Sequence, residues 1–320
     1  MSDTSVETSS TEGPITPVDP VMDTAIAVAK TETPLSRFVS DYCESPLAVI
    51  GFILLVLIAL AAILAPWLAP QDPYDLAQVT VLDARMQPGE QSFDGYTFLL
   101  GSDGAGRDLF SAILYGLRIS LSVGLLSGLV ALFIGLAIGL IAAYAGGRTD
   151  TIIMRVVDLQ LSLPAVLIAL ILLAVLGKGL DKIVIALIVA QWAYYARTAR
   201  GAALVERSRE YVEAAVCLGL SRTRVIFRHI LPNILPPIIV VGAVQTASAI
   251  ALEATLSFLG VGLPQTEPSL GLLISNGFEY MLSGAYWIAF FPGIALLVTI
   301  VAINLVADQL RDVLNPRLSR

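Results

Sequence analysis

Six long apolar stretches run through this 320-residue sequence, and they limit the folds that it can adopt. The hydrocarbon core of a bilayer is about 30 Å thick, and a helix needs roughly 20 apolar residues to cross it. The fourth stretch is short and needs residues 196–203 to complete it. The stretches are Leu47–Leu68, Ile119–Tyr144, Ile152–Leu176, Ile183–Tyr195, Ile234–Leu256 and Trp287–Val306. The sequence therefore predicts an all-α, polytopic membrane protein with six transmembrane helices.

The composition agrees with a chain that lipid covers. It is 56% hydrophobic and 14% charged, whereas a soluble domain is typically about 45–50% apolar and about 25% charged. So few charged residues leave too little polar surface for a water-soluble globule. Acidic residues concentrate in the first 46 positions, where eight of them accompany two basic residues. We expect an acidic, disordered tail over residues 1–45, a six-helix domain over residues 46–320, and no nucleic-acid partner.

The distribution of Lys and Arg predicts the orientation in the bilayer. With six spans and the N-terminus inside, the inside segments hold 14 of the 19 bases and the outside segments hold five. The inside segments are 1–46, 145–156, 197–233 and 307–320. This bias agrees with the positive-inside rule. We therefore expect a multi-pass protein of the cell membrane with both termini in the cytoplasm.

Small residues form a stripe along the second stretch. Gly124, Gly128, Gly135 and Gly139 recur at helical spacing, so they lie on one side of a helix. Such a stripe lets a neighbouring helix approach closely, which favours association inside a bilayer. A substrate groove is the alternative interpretation, and we favour helix packing.

A basic cytoplasmic segment, residues 204–232, connects the fourth and fifth stretches. Its periodicity predicts a short helix over residues 208–218, which Gly219 can end in a left-handed turn. Ser221 can then begin a second helix over residues 222–230. Two helices joined at a glycine outside the membrane would form a rigid elbow.

The elbow presents a small apolar knob, Ala214 and Ala215, inside a charged rim that includes Arg222 and Arg224. One interpretation is a docking element that enters a groove on a soluble partner. The other is an amphipathic loop whose arginines hold it against anionic lipid. The residue pattern alone leaves both interpretations open.

The same segment resembles a known family motif. The segment contains Glu213-Ala214-Ala215, three residues, Gly219, nine residues and then a four-residue stretch that ends in Leu231-Pro232. This spacing is similar to the EAA loop of binding-protein-dependent ABC importer permeases. One position departs from the general pattern, because His229 stands where the family has Ile. The run from Arg228 to Asn233 is nevertheless similar to the peptide-transporting branch.

Other segments extend the resemblance over nearly all of the chain after residue 45. Residues 100–109, 115–121 and 253–260 are similar to the C-type permeases of dipeptide and oligopeptide importers. The acidic residues 1–40 are not covered by it.

The resemblance implies a type I ABC importer permease with the MetI-like fold, located in the bacterial inner membrane. Such a chain pairs with a second, homologous permease as a heterodimer, and the two line one pathway. Two ATPase subunits, which bind ATP and Mg, would sit beneath it, and an extracytoplasmic peptide-binding protein would deliver the solute. The residues expected to couple to the ATPases are Glu213, Ala214, Ala215, Gly219, Arg222 and Arg224.

The chain itself is expected to be no enzyme and to bind no cofactor. It lacks the G-x-x-x-x-G-K-[ST] loop that holds nucleotide phosphates. Its only histidine is His229, so no metal constellation is apparent.

Four residues of the fifth stretch are candidates to line the pathway: Gln245, Thr246, Ala249 and Glu253. A carboxylate within a span is costly unless it faces water or a partner. Glu253 could lie near the outer mouth and meet a peptide amine. Alternatively, it could lie at the outer interface and pair with a loop base or with the binding protein.

Two other classes of protein are alternatives to an importer permease. An ion-coupled secondary transporter would show internal repeats and paired intramembrane acids, but only Asp158 and Glu253 are candidate acids here. A membrane enzyme would need a clustered nucleophile or metal site, and none is visible in the sequence. Within the importer class, the solute is expected to be a peptide, with nickel, glutathione and murein peptide as alternatives.

Overall fold

The computed structural model describes residues 34–73, 75, 79–93, 95–264, 267 and 269–314. Over these ranges the regular structure is helical, apart from two isolated β-bridges. Residues 41–320 form one compact unit. The α-helices are α1 (Pro34–Cys43), α2 (Pro46–Ile63), α3 (Ala65–Leu68), α4 (Leu109–Ala145), α5 (Gly147–Leu161), α6 (Ala165–Leu176), α7 (Leu180–Arg207), α8 (Glu210–Cys217), α9 (Arg222–Val225), α10 (Leu231–Phe258), α11 (Leu270–Phe278) and α12 (Trp287–Leu314).

Part of the predicted tail is helical. The sequence predicts a disordered segment up to residue 45, but α1 occupies residues 34–43. Apolar positions at helical spacing, Phe38, Val39 and Tyr42, account for this helix. The remainder of the predicted tail, residues 1–33, lies outside the described residues.

Four helical segments are long and apolar enough to cross a membrane: Pro46–Ile63, Leu109–Ala145, Arg222–Phe258 and Trp287–Leu314. The pair α5 and α6 adds a fifth candidate if the two helices count as one span. Six spans are predicted, whereas four or five helical segments qualify on length and composition alone. The difference concerns the third and fourth predicted spans.

The third predicted span is broken. Helices α5 and α6 meet at an angle of 88°, because Pro164 cannot donate a backbone hydrogen bond and disfavours helical geometry at Leu163. The 12 residues of α6 extend only about 18 Å at 1.5 Å per residue. The prediction of one uninterrupted helix over residues 152–176 is therefore wrong.

The fourth predicted span is one continuous helix, α7, as the extension through residues 196–203 predicts. Its 28 residues give a length of roughly 42 Å. Its C-terminal half is charged, and two of its arginines pair with acidic residues of α5. Arg200 donates to both carboxylate oxygens of Asp150, at 2.5 and 2.6 Å, and Arg197 pairs with Asp158. Helix α5 is thereby held against α7 by ion pairs, which explains how arginines fit at the end of this helix.

The glycine stripe of α4 packs against two helices, as predicted. A methyl group added at Gly135 would lie 2.5 Å from the Trp192 carbonyl oxygen of α7, and one added at Gly139 would lie 2.5 Å from that of Ala196. At Gly124 the added group would meet the side chain of Ile250 in α10. The backbones of α4 and α7 are thus in direct contact, and α4 is the central helix of the bundle.

Helix α4 connects the two ends of the bundle. Its 37 residues span roughly 55 Å, so its ends lie on opposite sides of a bilayer. At its first turn the Asp108 carboxylate accepts from the N–H and the hydroxyl of Ser111, at 2.8 and 2.6 Å. At its last turn it meets the segment that contains α8. The loop before α4 and the segment that contains α8 are therefore separated by the length of this helix.

Candidate functional site

The predicted helix–glycine–helix elbow is present. Helix α8 covers Glu210–Cys217, slightly less than the predicted 208–218. Gly219 has a φ of +73°, its N–H donates to the Val216 carbonyl at 3.0 Å, and the Leu220 N–H donates to the Ala215 carbonyl at 3.2 Å. This pair of bonds is the Schellman motif, in which a left-handed residue ends the helix. The predicted left-handed turn at Gly219 is confirmed.

The second helix of the elbow is continuous with the fifth span. Helix α9 begins after Ser221 and passes through a π-helical turn, Ile226–Ile230, into α10. In that turn the Leu231 N–H donates to the Ile226 carbonyl. The sequence predicts that this helix ends at residue 230 and that the fifth span begins at Ile234, and this interruption is wrong. The wider turn accommodates Pro232, which has no N–H to donate to the helix, so the elbow and the span form one body.

The predicted apolar knob is divided between two sides of α8. Ala214 and Glu213 are exposed. Ala215 is only 4% exposed and packs with Val212 against a cluster from α4, α7 and α10. Ala215 therefore anchors the elbow inside this chain, and Ala214 is the part of the knob that a partner could contact.

Two polar groups tie the elbow to the spans. The Asn233 side-chain amide of α10 donates to the Tyr211 hydroxyl at 2.8 Å and to the His229 carbonyl at 2.7 Å. The same hydroxyl donates to the Glu206 carboxylate of α7. Burial, together with Glu206, raises the pKa of Tyr211, so the phenol stays protonated as a donor. No sequence signal points to this role, because the partners of Tyr211 lie on α7 and α10 and meet it only in the folded chain.

Arg207, the last residue of α7, makes a further contact with the end of α4. Its Nη1 donates to the Ala143 carbonyl at 3.0 Å, and its guanidinium carbon lies 5.3 Å from the ring centroid of Tyr144. A cation at this position also complements the negative C-terminal end of the helix dipole. The elbow is thus connected to α4, α7 and α10 at once.

A cavity of about 800 Å³ lies between α8 and the end of α4. Arg222 lines it together with Glu213 and Arg207, whereas Arg224 is exposed but does not line it. All six predicted coupling residues therefore lie in one segment at one end of the bundle. Five of them are exposed, and Ala215 is the exception.

The four predicted pathway residues do not share one environment. Ala249 and Glu253 have no exposed surface, and α10 turns this side toward α4. Glu253 accepts hydrogen bonds from the hydroxyls of Ser257, at 2.7 Å, and of Ser120 in α4, at 3.0 Å. Thr246 is half-buried, and its hydroxyl donates to the carbonyl four residues earlier. Ala249 and Glu253 thus lie in the interior of this chain and Thr246 is only partly covered, and their role in lining a pathway stays a prediction.

The adjacent face of α10 borders open space. Two cavities of about 830 and 490 Å³ lie along α7 and α10, and both are lined by Tyr194 and Gln245. Ser248 and Thr255 line the second cavity, and Arg311 of α12 lines the first. Of the four predicted residues, Gln245 alone borders a cavity. A helical wheel identifies the polar side of α10, but it cannot show which side α4 covers.

Among residues that the structure describes, no group of three or more His, Cys, Asp or Glu side chains could hold a metal ion. Cys43 and Cys217 are both free, exposed thiols.

Two family models match the chain. One is described as the binding-protein-dependent transport system inner membrane component and matches residues 135–320. The other is the N-terminal TM domain of oligopeptide transport permease C and matches residues 33–88. The second match begins inside residues 1–40, which the sequence resemblance left uncovered.

Curated relatives match over most of their length. A putative peptide transport system permease protein of Brucella suis is 44% identical over 269 residues, or 84% of this chain and 87% of the relative. The probable D,D-dipeptide transport system permease protein DdpC of Escherichia coli is 40% identical, covering 85% and 88%. The dipeptide transport system permease protein DppC of Escherichia coli is 39% identical, covering 90% and 95%.

The fold is similar to that of a solved transporter. A chain of the inward-facing MetNI methionine ABC transporter aligns with a TM-score of 0.54 and 17% identity, covering 64% of this chain and 96% of that chain. At this identity the similarity shows the fold alone.

Proposed function

The chain belongs to the family of binding-protein-dependent transport system inner membrane components, and on that premise we propose that it is the permease subunit of an ATP-driven peptide importer. It is a membrane protein and not itself an enzyme. Its peptide substrate is inferred from the names of relatives that are 39–44% identical over most of the chain.

One observation supports the coupling role above all. Helix α8 exposes Glu213 and Ala214 at the end of the bundle, while the opposite side of its elbow is fixed to three spanning helices. A force applied to a small element is transmitted to the bundle only if the connection is rigid. The buried Ala215, the Tyr211 hydrogen bonds and the Arg207 bond supply that rigidity.

We assign six residues to coupling, in two roles. Glu213, Ala214, Arg222 and Arg224 would contact the ATPase, whereas Ala215 and Gly219 would set the position of α8. Two ATPase subunits would bind ATP and Mg and move this elbow as a rigid body, so that the bundle alternates between two discrete states. The elbow and both termini would lie in the cytoplasm, as the distribution of bases predicts.

The pathway would be formed between this chain and a second, homologous permease. The cavities along α7 and α10 supply an open face for this purpose, with Tyr194, Gln245, Ser248 and Thr255 along it. Uncharged donors and acceptors suit a peptide, because every peptide offers backbone amides whatever its side chains. An extracytoplasmic binding protein would supply the selectivity.

The test compares two glycines that differ in backbone conformation alone. A methyl group added at Gly219 or at Gly201 meets no atom within 4 Å, but Gly219 alone of the two has a left-handed φ. We expect Gly219→Ala to cost about 1–2 kcal/mol at the turn and to displace α8. Binding-protein-dependent peptide uptake and ATP hydrolysis by the reconstituted transporter should fall about five- to thirtyfold.

Gly201→Ala is the matched control and should retain both activities. Equal uptake by the two variants, with the ATPases still bound, would show that Gly219 does not set the coupling position. Absence of peptide uptake by the unaltered transporter, reconstituted with its ATPases and binding protein, would refute the proposed function itself.

A further inference from the structure

A strained arginine lies at the end of the bundle opposite the elbow. Arg85 has a φ of +61°, and it is the only non-glycine residue with a positive φ in the part of the chain that the structure describes. Left-handed backbone is disfavoured for a residue with a side chain, and it persists only where the surroundings enforce it. Such residues concentrate at functional sites.

The loop before α4 enforces this conformation. The Arg85 N–H donates to the Asp103 carbonyl at 3.0 Å, and the Met86 N–H donates to the Ser102 hydroxyl at 2.7 Å. The Ser102 hydroxyl in turn donates to the Asp83 carbonyl. Because Ser102 is completely buried, the turn is fixed from inside.

The guanidinium is positioned but not neutralised. It lies 5.7 Å from the ring centroid of Tyr280, and that ring packs directly on Gly104. Arg85 forms no ion pair with any described residue. The Asp83 carboxylate accepts from the Ser92 hydroxyl and the Phe93 N–H, and the Asp103 carboxylate accepts from N–H groups of its own loop. Arg85 thus presents a positive charge that no described carboxylate of this segment neutralises.

A recess of about 450 Å³ lies beside Arg85, with Gln87, Ser283 and Trp287 among the residues that line it. Two exposed 3₁₀ turns flank it, Val81–Asp83 and Met281–Ser283. Their apolar side chains are left uncovered by the described chain: Val81 is 77% exposed, Leu82 70% and Leu282 completely. Exposed apolar side chains around a charged centre are typical of a protein-binding surface.

We propose that this surface, the Arg85 platform (Val81–Arg85 and Met281–Ser283), docks the extracytoplasmic binding protein and that Arg85 receives a carboxylate from it. The inference rests on the proposed function, which supplies the partner. The platform adjoins the first turn of α4 and the elbow adjoins its last, so a cytoplasmic elbow puts the platform outside. A protein partner is favoured over a peptide carboxylate because Arg85 and the apolar rim line neither of the cavities along α7 and α10.

The test measures the affinity of the reconstituted transporter for the peptide-loaded binding protein that supports its uptake. Arg85→Gly removes the charge and suits the left-handed backbone, so the turn should fold. We expect affinity to fall at least about tenfold and to become less dependent on salt. Arg85→Lys keeps the positive charge, so it should retain most of the salt-dependent part of the affinity. ATP hydrolysis without binding protein should stay unchanged in both variants.

Lys178→Ala is the charge control, because Lys178 precedes α7 at the same end of the bundle and is exposed. Leu282→Ser tests the rim independently of Arg85. Since the Leu282 side chain is completely exposed in this chain, this change should leave the packing of the bundle intact, and it should weaken binding severalfold.

Affinities within twofold of wild type for both Arg85→Gly and Leu282→Ser would overturn the proposal. A raised KM for peptide with unchanged binding-protein affinity would also overturn it, because it would identify the solute as the ligand of Arg85. Both results would leave the proposed function standing. Failure of the wild-type transporter to bind any binding protein would instead refute the proposed function and this inference together.

Discussion

At the scale of single residues, Glu253 shows how a carboxylate is accommodated within a span. Burial of an isolated charged group is expensive, so buried carboxylates need hydrogen-bond donors or a partner. Both oxygens of Glu253 accept from serine hydroxyls, one on α4 and one on its own helix. Neither sequence interpretation, a pathway residue or an outer-interface residue, anticipated this interior site. The residue joins α4 and α10 toward the end of the bundle opposite the elbow.

The first prediction follows from these bonds. Glu253→Leu leaves two buried hydroxyls without this acceptor, so it should lower the free energy of unfolding by about 1–3 kcal/mol. Glu253→Gln keeps one acceptor oxygen and should lose less than half as much. The melting temperature of the purified transporter in detergent measures both changes.

A double variant separates the bonds from simple packing. Once leucine replaces Glu253, adding Ser120→Ala should cost less than Ser120→Ala costs in the wild type. If the two changes were simply additive, Glu253 and Ser120 would not be energetically coupled.

At the scale of helices, close backbone contact determines how α4 packs. Lipid removes the usual hydrophobic reason for two spans to associate, so van der Waals contact at small residues takes its place. Gly135 and Gly139 admit the backbone of α7, and Gly124 admits Ile250 of α10. The stripe therefore orders α7 and α10 around α4.

The second prediction compares two glycines within spans. An added methyl group at Gly135 would lie 2.5 Å from both the Trp192 carbonyl oxygen and the Tyr195 Cβ, whereas at Gly293 of α12 it meets nothing within 4 Å. We expect Gly135→Ala to destabilise the protein by about 1–3 kcal/mol through overpacking. Gly293→Ala should be neutral or stabilise the helix by up to about 1 kcal/mol. The melting temperatures of both variants are compared by thermal unfolding in the same detergent. Identical melting temperatures would contradict the packing role of Gly135.

At the scale of the whole molecule, one side of the bundle is closed and another is open. The side of α10 with Ala249 and Glu253 meets α4, and the side with Gln245 and Ser248 borders the cavities. A second permease placed over the open side would complete a pathway. Alternating access then requires that the open side change its exposure between states.

The third prediction tests which side is open. In a chain whose two native cysteines are replaced by serine, Ser248→Cys should react with a hydrophilic thiol reagent at least about tenfold faster than Ala249→Cys, because reaction needs an exposed thiolate. ATP binding by the assembled transporter should change the rate at position 248. Faster labelling at position 249 would restore the lining face that the sequence suggested.

The sequence by itself determined the features that depend on neighbours along the chain. Apolar length predicts the membrane class, and it gives continuous helices for the second, fourth, fifth and sixth spans. Gly219 predicts the left-handed turn, because few other residues adopt that backbone without cost. The spacing from Glu213 to Pro232 was enough to indicate the family. The break at Pro164 was readable in principle, since proline restricts the residue before it, but apolar content concealed it.

The tertiary structure alone decided which side of each helix is covered. Ala214 and Ala215 are adjacent in sequence and chemically equal, yet the first is exposed and the second is packed against three helices. Gln245 and Glu253 are both polar residues of α10, yet Gln245 borders a cavity and Glu253 is completely buried. Helical periodicity gives the direction of a side chain about its own axis. What stands in that direction depends on residues far away in the chain, whose contacts form only when the bundle closes.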